Sequence, residues 1–90
     1  MSNSELGPLL NKYAVAFISY HDNDLVLDFV FGPNELKAAQ WWLKYQINGG
    51  KHANDQDWCY WIDSICNKDI KHLINCLLDV DLSFQIKLVA

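Results

Sequence analysis

Three cysteines, three histidines and three Asp-x-Asp pairs carry the reactive chemistry of this 90-residue chain. Cys59 and Cys66 are seven residues apart and His72 and Cys76 four apart, so each pair shares a face if its segment is helical, and His52 lies just upstream. Tetrahedral zinc takes such ligands, but structural zinc sites carry close C-x₂₋₄-C pairs, and none is present. The expected role of these thiols is therefore packing, as small and weakly polar residues. Asp22/Asp24, Asp55/Asp57 and Asp79/Asp81 hold carboxylates two apart, a spacing that suits a hard cation. No twelve-residue calcium loop surrounds any of them, and all three pairs fall at turns or element ends, where Asp caps helices and closes turns. A nucleophile, base and acid can be drawn from Cys59 or Cys66, His52 or His72 and an Asp. No local motif supports the set: there is no G-x-S-x-G, phosphate-binding glycine loop or H-E-x-x-H. A domain this small also has little room for a substrate cleft, which needs about 300 Å³ or more. The chain is thus expected to be no enzyme, with no catalytic residue, metal ligand or cofactor assigned.

The aromatic surplus points elsewhere. Trp41, Trp42 and Tyr45 precede one polar stretch, and Trp58, Tyr60 and Trp61 follow it. Adjacent residues of a helix point about 100° apart, so Trp41 and Trp42 cannot both sit at the centre of one narrow buried face. Trp and Tyr are enriched at the energetic centres of interfaces. Trp41, Tyr45 and Tyr60 are the candidates for partner contact, with Asp22, Asp24, Asp55 and Asp57 supplying charge.

The elements that must position these residues follow from periodicity. Residues 1–12, interrupted by Gly7-Pro8, read as a tail or short helix preceding a single domain over 13–90. Residues 13–20 and 25–31 are rich in β-branched and aromatic residues and are joined by His21-Asp22-Asn23-Asp24, which predicts a β-hairpin. In the second strand the larger set, Leu25, Leu27, Phe29 and Phe31, is expected to face the core. The other set, Val26, Asp28 and Val30, is still partly apolar, so the sheet is either covered on both sides or offers one side to a partner. Gly32-Pro33-Asn34 opens a helix over 34–47, with Leu36, Ala39, Leu43 and Ile47 on one face, and Asn48-Gly49-Gly50 stops it. Residues 48–56 read as a mobile polar loop. A helix over 57–66 is expected to turn Trp58, Trp61, Ile62, Ile65 and Cys66 inward, and a third over 68–79 carries Ile70, Leu73, Ile74, Leu77 and Leu78 on one face. Residues 82–88 alternate strictly and predict a strand with Leu82, Phe84, Ile86 and Leu88 inward. The fold class is α+β: a small three-stranded antiparallel sheet, from the N-terminal hairpin plus the C-terminal strand, with about three helices packed on one face.

Composition narrows the functional classes. Seven basic against eleven acidic residues give a net charge of −4, and all the basic residues are Lys. Arg is the preferred reader of guanine and of phosphate oxygens, and nucleic-acid affinity draws on clustered cations; here the Lys are scattered, so no direct nucleic-acid binding is expected. No apolar run of about 18 residues predicts a membrane span. The odd cysteine count fits no complete disulfide framework, and the start lacks a secretory pattern, so a reducing, cytoplasmic setting is expected. These features suit a small acidic bind-and-block protein, of the immunity, antitoxin or phage-inhibitor type, that answers a basic protein partner such as a nuclease toxin. A self-associating structural or adaptor module, forming a homodimer, is the alternative, and a Cys/His metal or redox sensor a third class.

Overall fold

Alternate side chains of a strand point to opposite faces, and β1 (Asn11–Ser19) sorts them by size: Tyr13, Val15 and Phe17 are buried, while Ala14 and Ala16 lie half-buried on the other face. The computed structural model describes residues 10–89. Residues 20–23 reverse the chain, with Asn23 in the left-handed region at φ 54°. β2 (Asp24–Gly32) then returns antiparallel, placing Asp24 opposite Ser19 and Val30 opposite Tyr13. β3 (Leu82–Leu88) joins the other side of β1, also antiparallel, with Phe84 opposite Phe17. The order is β2-β1-β3, and the chain adopts the expected α+β architecture. Asn11 and Lys12 belong to β1 rather than to a tail, and Leu10 precedes the strand and is exposed; residues 1–9 of the expected tail lie outside the described residues.

Helix α1 (Glu35–Trp41) starts where the Asn34 side chain accepts the Lys37 N–H at 2.9 Å. Its first turns press close to β2, so close that a Cβ on Gly32 would meet the Ala38 Cβ at 2.8 Å. α1 continues as a π turn (Trp42–Gln46), closed by the Ile47 N–H on the Trp42 carbonyl. Asn48, Gly49 and Gly50 then take left-handed φ values of 52°, 68° and 83°, which ends the helix as expected. The chain does not open into a polar loop here. After these three residues the chain takes a short 3₁₀ turn up to Asn54, and the His52 ring rests on Trp58 with centroids 4.9 Å apart. Helix α2 (Gln56–Tyr60), capped by Asp55, also widens into a π turn (Trp61–Ile65). Residues of a wider turn advance by less than the ~100° of an α-helix. Ile65, expected inward, is therefore left exposed, while Cys66 reaches the core. Helix α3 (Ile70–Leu78), capped by Asp69, buries Leu73 and Leu77 and leaves Leu78 out. Among the described residues no helix is long and apolar enough to cross a membrane.

The core lies between the sheet and the helices, and Trp42 is at its centre. Its indole is fully buried, with centroids 5.6 Å from Phe17 of β1 and 5.8 Å from Phe84 of β3. Its Nε1–H donates to the Asp28 carboxylate of β2 at 3.0 Å. One side chain thus engages all three strands.

This contact overturns the expected facing of β2. Val26, Asp28 and Val30 lie on the helix side, Asp28 at its exposed margin, whereas Leu25, Leu27, Phe29 and Phe31 are exposed on the opposite side. The cause is register. The large residues of β1 take the inner face, and the four-residue turn pairs them with the even-numbered residues of β2. Toward the far end of β3, Leu88 lies on the inner side but is also exposed, unlike the buried Phe84. If Asp28 holds the indole, Asp28→Ala should destabilise the fold by about 1–3 kcal/mol, the cost of stranding a buried N–H. Urea denaturation measures this, and a change near zero would contradict the role given to Asp28.

Candidate functional site

Among the described residues all helices lie on one side, and no element covers the other face of the sheet. It forms a grid of four rows across β2, β1 and β3: Leu25, Ile18, Ser83; Leu27, Ala16, Gln85; Phe29, Ala14, Lys87; and Phe31, Lys12, Val89. Leu25, Leu27, Phe29 and Phe31 are 64, 72, 55 and 57 % exposed, against 2 % for Val30 in the same strand. They make a ridge along β2. Beside it the small Ala14 and Ala16 leave a shallow trough of about 460 Å³, bounded on the far side by Gln85 and Lys87. The Lys12 ammonium sits over the Phe29 ring, 4.4 Å from its centroid.

The apolar surface continues around the edge of β2. A groove of about 700 Å³, larger than the small size of the domain led us to expect, runs between Phe29, Phe31 and Gly32 of the strand and Lys37, Gln40, Trp41 and Lys44 of the first helix. Trp41 and Tyr45 are both exposed, their rings tilted against each other with centroids 5.9 Å apart, while Trp42 is buried, so the two adjacent indoles diverge as their helical spacing requires. Lys44 is held at 2.7 Å by Asp63.

The free edge of β2 is partly closed. The Val89 N–H bonds to the Lys12 carbonyl, so even-numbered residues of β1 direct their backbone groups to β3 and odd-numbered ones to β2. The odd-numbered amides of β2 are left at the free edge. One of them, the Phe29 N–H, donates to the other oxygen of Asp28 at 2.8 Å. An inward charge that occupies an edge donor blunts strand addition.

Two of the three aspartate pairs meet. The β1–β2 turn touches the turn between α3 and β3: the Tyr20 N–H bonds to the Asp81 carbonyl at 3.1 Å, and His21 Nε2 lies 3.1 Å from the Val80 carbonyl oxygen and 3.7 Å from the Asp81 carboxylate. Asp22, Asp24, Asp79 and Asp81 therefore gather at one end of the sheet, while Lys12 and Lys87 lie on the open face toward the other. Asp55 and Asp57 are not brought to this cluster by any contact; Asp55 is used as the cap of α2, accepting the Trp58 N–H at 3.0 Å. Tyr60 is exposed on the same short helix, which packs on the 47–54 turns. The sequence reading placed Trp41 and Tyr45 on the surface but put the residues of the β2 ridge inside. The size alternation of β1 together with the turn length held the signal.

The thiols divide. Cys59 Sγ donates to the His52 carbonyl at 3.5 Å, away from Cys66 in the core. Cys76 Sγ lies 3.6 Å from His72 Nε2. All three are free, and among the described residues no three His, Cys, Asp or Glu side chains are placed to hold a metal ion. Burial, and then the adjacent Cys76, push the Cys66 thiol up to about 12. Compared with known proteins, the chain matches no family model, no curated sequence and no solved structure.

Two outcomes follow from this geometry. Leu27→Ser with Phe29→Ser should cost less than about 1 kcal/mol, whereas Val30→Ser alone should cost about 2 kcal/mol or more; denaturation midpoints of the two variants would decide which face is buried. Because the thiolate is the nucleophile, Cys66 in the folded protein should react with an aromatic disulfide at pH 8 about 100-fold more slowly than an ordinary thiol. Mass-resolved labelling checks this, and equal rates at all three cysteines would contradict it.

Proposed function

We propose that this protein is a protein-binding module, without catalytic chemistry of its own, that docks through the open face of its sheet. The observation that carries the reading is the β2 ridge: four consecutive outward positions of one strand hold Leu25, Leu27, Phe29 and Phe31, all more than half exposed. Their side chains present roughly 500 Å² of apolar surface. Patches of that size on a monomer mark interaction sites, whereas scattered single apolar residues do not. The adjoining Trp41 and Tyr45 extend the patch around the strand edge with the ring types that dominate binding energy.

A second reading keeps the bind-and-block inhibitor of a basic protein such as a nuclease toxin. It is favoured by the junction of two turns that gathers Asp22, Asp24, Asp79 and Asp81 at one end of the sheet. In that reading the ridge anchors the complex and the aspartates steer it.

The test uses the protein in extracts of its source cell at native abundance. The wild-type chain should migrate in a complex well above its 10.4 kDa mass, and Leu27→Ser with Phe29→Ser should return it to the monomer position. A wild-type chain that migrates as a monomer, or a complex indifferent to the two substitutions, would remove the face from the function.

A further inference from the structure

We infer that the free edge of β2 beside the first helix is a peptide-binding site, at which an extended apolar segment with an acidic end adds a fourth strand to the sheet. The site adjoins the open face but does not rest on the docking role proposed for that face. The backbone supplies the first observation. Even-numbered residues of β2 bond to β1, so the odd-numbered N–H and C=O groups point to the free edge. The Phe29 N–H is already taken by the Asp28 carboxylate at 2.8 Å. The Phe29 C=O and both backbone groups of Phe31 have no partner among the described residues. Unpaired groups on an edge strand are a template for another strand. The capped donor stops that pairing at Phe29 and confines it to the end of β2 toward Gly32.

The groove of about 700 Å³ follows the same stretch. Residues 29–32 line one wall consecutively, and Lys37, Gln40, Trp41 and Lys44 line the other. Alternate side chains of a strand point to opposite faces, so a wall of consecutive residues presents the strand edge itself. The floor holds a polar group. Gln40 is only 5 % exposed, its Nε2 donates to the Ile62 carbonyl at 3.1 Å, and its Oε1 has no partner among the described residues. That oxygen is an acceptor for a peptide N–H. The rim holds a cation. The ion pairs among the described residues are Lys44–Asp63 and His21–Asp81, so Lys37 is left to meet a carboxylate of the occupant. A strand laid between β2 and the helix would send one set of side chains toward Trp41 and the other beside Phe29 and Phe31. The occupant therefore carries apolar residues at consecutive positions. Strand addition of this kind takes affinity from main-chain hydrogen bonds and specificity from side-chain pockets.

The experiment is amide hydrogen exchange of the purified full chain, read by NMR, alone and with a set of end-capped peptides. Each peptide has Glu at both ends and consecutive positions between them varied over Val, Ile, Leu, Phe and Tyr. In the free chain the Phe31 N–H should exchange far faster than the Val30 N–H, which is bonded to Tyr13. The best peptides should bind with dissociation constants of about 10–100 μM and slow Phe31 about tenfold or more. Methylating alternate peptide nitrogens should weaken binding about tenfold in one phase, where donors to β2 are lost, and leave the other phase unchanged. Lys37→Glu should weaken binding about fivefold at low salt, and peptides with Lys ends should recover it. A Phe31 amide already protected in the free chain overturns the inference: the edge is then filled by the chain's own segment, or by a second copy if protection rises with concentration. Failure of every peptide to saturate at 1 mM on the order of the weakest specific affinities, or equal effects of the two methylation phases, also overturns it. Indifference to Lys37→Glu overturns the acidic end. Leu27→Ser, on the open face outside the groove, should leave peptide affinity unchanged, so failure of this site and failure of the face are read separately.

Discussion

A buried indole N–H must find an acceptor, and in this molecule that demand organises everything else. Trp42 sits at zero exposure between Phe17 and Phe84, the register partners of β1 and β3, and its nitrogen reaches the carboxylate of Asp28 on β2. An unpaired indole there would cost more than most single apolar contacts return. A β2 with Asp28 turned to solvent would forfeit the bond and carry a one-residue slip in the hairpin, which reverses every side chain of the strand. The helical layer, the strand pairing and the hairpin register thus meet at one residue, whose hydrogen bond is satisfied only in the register that the β1 pattern and the four-residue turn set. Gly32 supports the arrangement, because only a residue without a Cβ lets α1 approach near enough to seat Trp42.

The open face follows from that choice. Once Asp28 is directed inward, its alternate neighbours, Leu25, Leu27, Phe29 and Phe31, have no place but outside. Three short helices cover one side of a three-stranded sheet, and the described chain has no further element to lay across the other. The ridge is therefore a cost accepted in the isolated domain in return for an inward acceptor. Its side chains are too large and too contiguous to be explained by strand propensity alone. The same carboxylate also takes the Phe29 amide, so Asp28 closes the strand edge at Phe29 while leaving the strand face available.

Much of this fold is readable in the residues. Gly32-Pro33-Asn34 and Asn48-Gly49-Gly50 bracket the first helix because a fixed proline φ, an Asn cap and left-handed backbone have few other uses in that order. The strict alternation of residues 82–88 marks β3. The divergence of Trp41 and Trp42 needs only the angle between neighbours on a helix. The facing of β2 was harder, because both of its alternate sets are apolar enough to be core and hydrophobicity alone favours the larger one. The decisive facts are non-local: the register set by a four-residue turn and the hydrogen-bond need of a tryptophan 14 residues away. Ile65 was misplaced for another reason, since hydrophobic spacing assumes 3.6 residues per turn and the chain widens to an i→i+5 turn at Trp61. The convergence of Asp22/Asp24 with Asp79/Asp81 depends on β3 pairing with β1, a long-range contact that local pattern does not encode.

Where the apolar and charged features lie relative to one another says more than either alone. An acidic chain that opposed only a basic partner would gain by clearing cations from its docking face. Here Lys12 and Lys87 stand on that face, and Lys12 covers the Phe29 ring. They sit at the end opposite the turn of Asp22 and Asp24, and those two carboxylates lie toward the helices: Asp24 pairs with the buried Ser19, and Asp22 accepts from the Ser19 hydroxyl. The distribution of charge, more than its sum, therefore separates the surface left open by Trp42 and Asp28 from the acidic turns: it is an apolar ridge with lysines at one end.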